Sequence, residues 1–208
     1  MDSGNVSAII SAVAGISGVL LGNLFVLVKE WWVKRGTVGQ NTTYLGIIVV
    51  SHLDRFTTQC FDVCIDDGTY HGQPAGQDGQ YETTTVAPVF NPLELDVDWK
   101  LLPKELMYSI LRIPDKQDQL HGKLRGIQEF NYDPPDHADF FWTRRRGYAV
   151  LGLEASELIK KLRMHAGLPT DVPLPGEWNR DQNLKDVIAD LDRLERESLS
   201  RNATVHEL

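Results

Sequence analysis

Three consecutive arginines, Arg144-Arg145-Arg146, follow Phe140-Phe141-Trp142 and precede Tyr148. A guanidinium is a planar fork of donors that matches carboxylate and phosphate oxygens. Beside aromatic rings, such a cluster can hold a phosphate, a nucleotide or a lipid head group. The same residues can also make a structural ion-pair network. Arg144 falls on the helical line between Phe141 and Tyr148, so one cation points where a core residue is expected. Burying it requires a carboxylate partner, and Asp54 and Asp62 are the candidates. Arg144, Arg145 and Arg146 thus form the candidate anion or ion-pair cluster.

Other titratable groupings carry weaker signals. Asp66, Asp67, His71 and Asp78 crowd a glycine-rich stretch, but their spacing departs from the alternating acids and closing glutamate of a calcium loop. Asp133, Asp136, His137 and Asp139 gather at the turn into a long helix, where capping the positive helix end accounts for them. His52 would stand on a rigid helix, as a phosphate-accepting imidazole does. It is succeeded by Leu53-Asp54-Arg55-Phe56, without the Lys-Gly typical of histidine phosphotransfer helices. Cys60 and Cys64 share a helix face, where a disulfide would distort the helix, and two thiols do not make a zinc site. They read as small apolar core residues in a reducing compartment. No catalytic residue, cofactor or metal is assigned.

Periodicity sets the helices on which these groups stand. Leu45, Val49, Leu53, Phe56, Cys60 and Cys64 recur at steps of three and four, predicting a central helix capped by Asn41, Thr42 or Thr43 and ended by Asp66-Asp67-Gly68. Residues 68–98 are rich in glycine and proline and predict a long loop: a lid, a partner-binding arm or a short hairpin. Leu106, Ile110, Ile113, Gln117, Leu120, Leu124 and Ile127 keep register straight through Pro114, which predicts one kinked helix. A further helix starts at Pro135 or Asp136 and ends at Ala166, with Gly167 as its C′ residue. A last helix spans about Asp181 to Leu199, carrying Leu184, Val187, Ile188, Leu191 and Leu194 inward.

Ahead of all this, residues 6–28 contain no charged side chain. At 1.5 Å rise per residue such a run crosses a bilayer core of about 30 Å. Asp2 is the sole charge before it, which does not fit a signal peptide, while Trp31, Trp32, Lys34 and Arg35 come after it as an interfacial and cationic border. The expectation is an uncleaved single-pass anchor in a plasma or bacterial inner membrane, with the N-terminus outside and the C-terminal domain cytoplasmic. Ser11, Gly15, Gly18 and Gly22 place small residues on one face and form a candidate transmembrane packing surface, so a homodimer is one outcome.

The fold class expected is mainly α: one N-terminal transmembrane helix, then a cytoplasmic antiparallel bundle of about four helices with one long Gly/Pro-rich loop. Residues 1–35 are the anchor, 36–40 a juxtamembrane link, 41–199 the helical domain with its 68–98 insertion and 167–180 connector, and 200–208 a flexible tail. A net charge of −8 argues against nucleic acid as a partner. The bilayer and an unidentified protein are the partners expected. The functional reading is an interaction or scaffold module at the cytoplasmic membrane face. Its rivals are a membrane-tethered enzyme or ligand sensor using residues 66–98 with the arginine cluster, and a dimerising signalling adaptor.

Overall fold

A computed structural model describes Lys29, residues 38–170 and residues 176–206. The expected span over residues 6–28, with Ser11, Gly15, Gly18 and Gly22, lies outside the described residues. Among the described residues, no helix is long and apolar enough to cross a membrane. The chain divides into two units, Met1–Thr42 and Thr43–Leu208. Lys29 and residues 38–42 of the first are helical, and the Thr42 hydroxyl donates to the Val38 carbonyl at 2.8 Å.

Residues 38–65 are helical and are termed α1. The three- and four-residue steps do what such spacing must, since they line one face of a 3.6-residue helix. Leu45, Val49, Leu53, Phe56, Cys60 and Cys64 are all at most 1% exposed. Residues 38–43 were expected as a link and a cap, yet they already lie in the helix. Thr43 makes no cap and instead donates across the fold to the Ala166 carbonyl at 3.1 Å.

The segment after α1 is irregular but not free. It opens with a two-residue antiparallel hairpin, β1 (Thr69–Tyr70) and β2 (Gln73–Pro74), and continues through single 3₁₀ turns at Gln77–Gly79, Pro92–Glu94 and Trp99–Leu101. Phe90 and Pro92 are buried, and the Phe90 ring packs tilted against Phe56, 5.8 Å between centroids. Ala87, Leu95 and Val97 add to the same core. Burial of these side chains offsets the entropy of ordering a stretch without regular hydrogen bonding.

Helices α2 (Lys104–Leu111) and α3 (Ile113–Phe130) meet at Arg112, which keeps right-handed helical geometry at φ −84° and ψ −7°. Pro114 sits in the first turn of α3, where its missing N–H is harmless. Leu106, Ile110, Ile113, Gln117 and Leu124 stay buried along one seam across the junction, as one kinked helix requires.

Helix α4 (Ala138–Ala166) is the longest uninterrupted partner of the rest and ends at Gly167 with φ 66°. It begins later than expected: the cap is His137 in left-handed geometry, and no carboxylate side chain caps it. Helix α5 (Arg180–His206) continues through residues 200–206, which were expected as a tail. Two cores result. The larger joins α1, the irregular segment, α2, α3 and α4, and the smaller joins Cys64 of α1, Ala149 of α4 and Leu184 of α5. The bundle is mainly helical, with little strand.

Candidate functional site

Arg144 is 4% exposed, at the inward position its spacing from Phe141 and Tyr148 dictates. Its partner is neither Asp54 nor Asp62 but Asp66, the residue just past the last turn of α1. Arg144 Nη1 donates to Asp66 Oδ2 at 2.7 Å, and Nη2 donates to the Thr85 carbonyl at 2.7 Å. The other Asp66 donors come from the irregular segment. The N–H and hydroxyl of Thr84 donate at 3.0 and 2.8 Å, those of Thr85 at 3.0 and 2.8 Å, and the Gly68 N–H at 3.1 Å. Burial alone would raise the Asp66 pKa. The Thr85 and Thr84 hydroxyls, the Arg144 guanidinium and the Gly68 N–H outweigh it and hold the carboxyl at about 2, from an ordinary 3.8. The arrangement is a clamp that ties the end of α1, residues 84–85 and the middle of α4 to one carboxylate.

The three arginines do not converge. Arg145 Nε donates to the Cys64 carbonyl at 2.9 Å, an otherwise unused acceptor at the end of α1. Arg146 forks onto Asp192 of α5 at 2.6 and 3.3 Å and lies over the Trp142 ring at 5.6 Å. Trp142 in turn donates its Nε1–H to the Leu191 carbonyl at 3.2 Å. Asp54 serves different cations, Arg163 at 3.4 Å and Arg180 at 3.1 Å. Arg144 and Arg145 thus join α4 to the end of α1, and Arg146 joins it to α5.

The remaining candidates are similarly structural. His52 is exposed on α1. Asp67 accepts from the Thr69 N–H and hydroxyl and so closes the turn into the hairpin. Among the described residues, no group of three His, Cys, Asp or Glu side chains could hold a metal ion. Both cysteines are free thiols in the core, and burial pushes Cys60 far up and Cys64 up to about 12, so neither forms a reactive thiolate. A Ser–Lys–Asp grouping does occur: the Ser156 hydroxyl lies 2.7 Å from both Asp181 oxygens, and Lys160 is 2.9 Å from the same carboxylate. Its protonation is wrong for nucleophilic catalysis. Hydrogen bonds to Glu157 and Asp181 raise the Lys160 pKa. For Asp181, burial pushes the other way, but bonds from Ser156 and Lys160 lower its pKa and leave it a weak base. It fastens the start of α5 to α4.

A cleft of about 390 Å³, not expected from the sequence, lies where α3 ends and α4 begins. Tyr81, Tyr132, Phe140 and Phe141 give it aromatic walls, and Glu82, Gln128, Asn131 and His137 supply polar groups. The Tyr81 N–H donates to the Pro135 carbonyl at 2.9 Å, which ties the irregular segment to the α3–α4 turn. His137 Nε2 lies 3.2 Å from Gln80 Oε1, and its ring rests 5.0 Å from that of Tyr132. Phe141 seats because Gly68, at φ 80°, has no side chain: a Cβ there would come within 2.4 Å of the ring.

No family model, curated protein or solved structure matches this chain. The signal for the cleft was present as Tyr81, Asn131-Tyr132 and Phe140-Phe141. Residues so far apart converge only once the irregular segment is laid along α4.

Proposed function

We propose that this is a single-pass membrane protein, anchored through residues 6–28, whose helical unit is an interaction module at the cytoplasmic membrane face. The observation that carries this reading is how the unit spends its charged and nucleophilic side chains. Arg144, Arg145, Arg146, Asp66, Ser156, Lys160 and Asp181 all join one element to another, and none of them is left as a nucleophile paired with a base. A fold whose chemistry is committed to its own rigidity suits recognition better than turnover. The irregular segment also turns apolar side chains outward while its other side is buried. Val86, Val89 and Leu93 are 91%, 75% and 81% exposed. Such a row on an anchored backbone suits a protein partner.

The uncharged run with its Trp31, Trp32, Lys34 and Arg35 border supports the anchor and its orientation. The test is alkaline carbonate extraction of membranes carrying the full chain, combined with protease digestion of inverted and right-side-out vesicles. The expected result is retention in the membrane, with residues after 36 cleaved only in inverted vesicles. Release by carbonate removes the anchor, and cleavage only in right-side-out vesicles reverses the orientation. Photo-crosslinking from position 89 then reads the partner. Disappearance of every crosslinked product when Val86→Asp is added, with folding intact, supports the interaction surface, and unchanged products refute it.

A further inference from the structure

The cleft between α3 and α4 has a chemical bias that its shape alone does not reveal. Between Asp66 and Trp99 the sequence contains no Lys or Arg, and between Gly126 and Thr143 it again contains none. These two stretches supply every wall of the cleft. Glu82 lines it, and Glu129, Asp133, Asp136 and Asp139 are exposed on the same stretches. Asp139 lies in the first turn of α4, with Asp136 just ahead of its cap, and they counter the positive end of that helix, while α3 presents its negative end nearby. The local field therefore favours positive charge.

The walls favour it too. The face of an aromatic ring is electronegative and attracts a cation within about 6 Å of its centre, most strongly when the cation is poorly hydrated. Tyr81 and Phe141 meet edge to face at 6.5 Å, and Phe140 and Phe141 at 5.4 Å, so ring faces point in different directions around one space. A volume of about 390 Å³ lies within the range of small-molecule sites.

We propose that this cleft binds an organic cation, an ammonium group carried on an apolar body, with quaternary ammonium preferred. The rings of Tyr81, Tyr132 and Phe140 surround the charged group, the Glu82 carboxylate neutralises it, and the Asn131 amide carbonyl accepts from any N–H it carries. An anion is excluded by the carboxylates, and a neutral ligand gains nothing from them. The cleft is preformed: the bond from Tyr81 to Pro135 fixes one wall against the other, and His137 is held at φ 48° by its N–H bond to the Asp133 carbonyl at 2.8 Å.

The test uses the full chain in a maltoside detergent, which has no ammonium head group. Saturation-transfer NMR is recorded with choline, with benzyltrimethylammonium, and with the neutral isostere of choline in which carbon replaces the ammonium nitrogen. Both cations are expected to bind saturably, with choline about tenfold tighter than its isostere. Tyr132→Leu and Glu82→Gln should each weaken binding about three- to tenfold, with an unchanged far-UV spectrum, because both side chains are exposed. Equal binding of choline and its isostere would show an apolar crevice only and overturn the proposal. So would the absence of saturable binding by either cation, or affinities unchanged in both variants.

Discussion

Replacing Asp66 with asparagine tests the clamp directly. The change keeps the side-chain volume, removes the charge and turns one oxygen into an amide. In the present arrangement Oδ2 receives the N–H and hydroxyl of Thr85, the Thr84 N–H and Arg144 Nη1. An NH₂ in that place faces donors, and if the amide turns over, the Gly68 N–H and the Thr84 hydroxyl face it instead. Arg144 is left charged and enclosed, at 5% side-chain exposure. Removing one member of a buried pair costs about 3–5 kcal/mol, and Asp66→Asn is expected in that range at pH 7. Asp66→Asn combined with Arg144→Met should lose less than the sum of the two single changes by at least about 1 kcal/mol. The pH dependence is the sharper part. The folded carboxyl, at about 2, lies below its ordinary 3.8, so its contribution is complete above the ordinary value and disappears as pH falls toward the folded one. The stability difference between wild type and Asp66→Asn should hold steady above about pH 5 and shrink by about 2 kcal/mol by about pH 2. Urea unfolding of both proteins in the same detergent, followed by near-UV circular dichroism, measures it. A loss below about 1 kcal/mol at pH 7, or a difference that is the same at both ends of that window, would refute the clamp.

Gly46→Ala should destabilise by about 1–3 kcal/mol, because its Cβ would lie 2.4 Å from Ala166 Cβ, whereas Gly122→Ala meets nothing within 4 Å and should stabilise by about 0.5–1 kcal/mol. Thermal melts of the two variants side by side check the sign of each. Cys60 and Cys64 should resist a thiol-specific disulfide reagent at pH 8 until denaturant opens the core; prompt labelling of the native protein would contradict their burial. Tyr148→Phe removes a hydroxyl that lies 2.6 Å from His121 Nε2 and receives the Gln117 amide at 3.2 Å, and should cost about 1 kcal/mol in urea unfolding. Gly18→Ile with Gly22→Ile should abolish association in membranes if the small-residue face pairs, and an unchanged crosslinked dimer would remove that role.

Helices were legible in the sequence wherever burial is one-sided. The α1 stripe, the seam through Pro114 and the inward line of α4 all come from periodicity, and Arg144 was recognisable as buried because it interrupts that line. Its partner was not, for a geometric reason. Asp54 and Asp62 lie on α1 itself, but the chain leaves the helix at residue 65, and only there can a carboxylate face α4 and residues 84–85 together. Thr84 and Thr85 carried the missing signal, as hydroxyl and N–H donors. The stretch to residue 98 read as loose because Ala87, Phe90, Leu95 and Val97 have no regular period, and an irregular backbone buries side chains without one. His137 was grouped with acids as a cap. Its left-handed backbone instead sets where α4 begins, and nothing in composition marks that.

The clamp also has a consequence for the order of events in synthesis. Asp66 is 18 and 19 residues from its threonine partners but 78 residues from Arg144. Closing the short ring alone would enclose a carboxylate without its cation, so the ring has little reason to hold until α4 arrives. At about 5–20 residues per second, translation leaves an interval of about 2–9 s in which residues 67–98 have emerged and the arginine has not. During that interval Val86, Val89, Phe90 and Leu93 are all accessible to whatever meets nascent chains. Ribosome-bound chains ending before position 144 should be cut by protease within this segment, and chains extended well beyond α4 should resist.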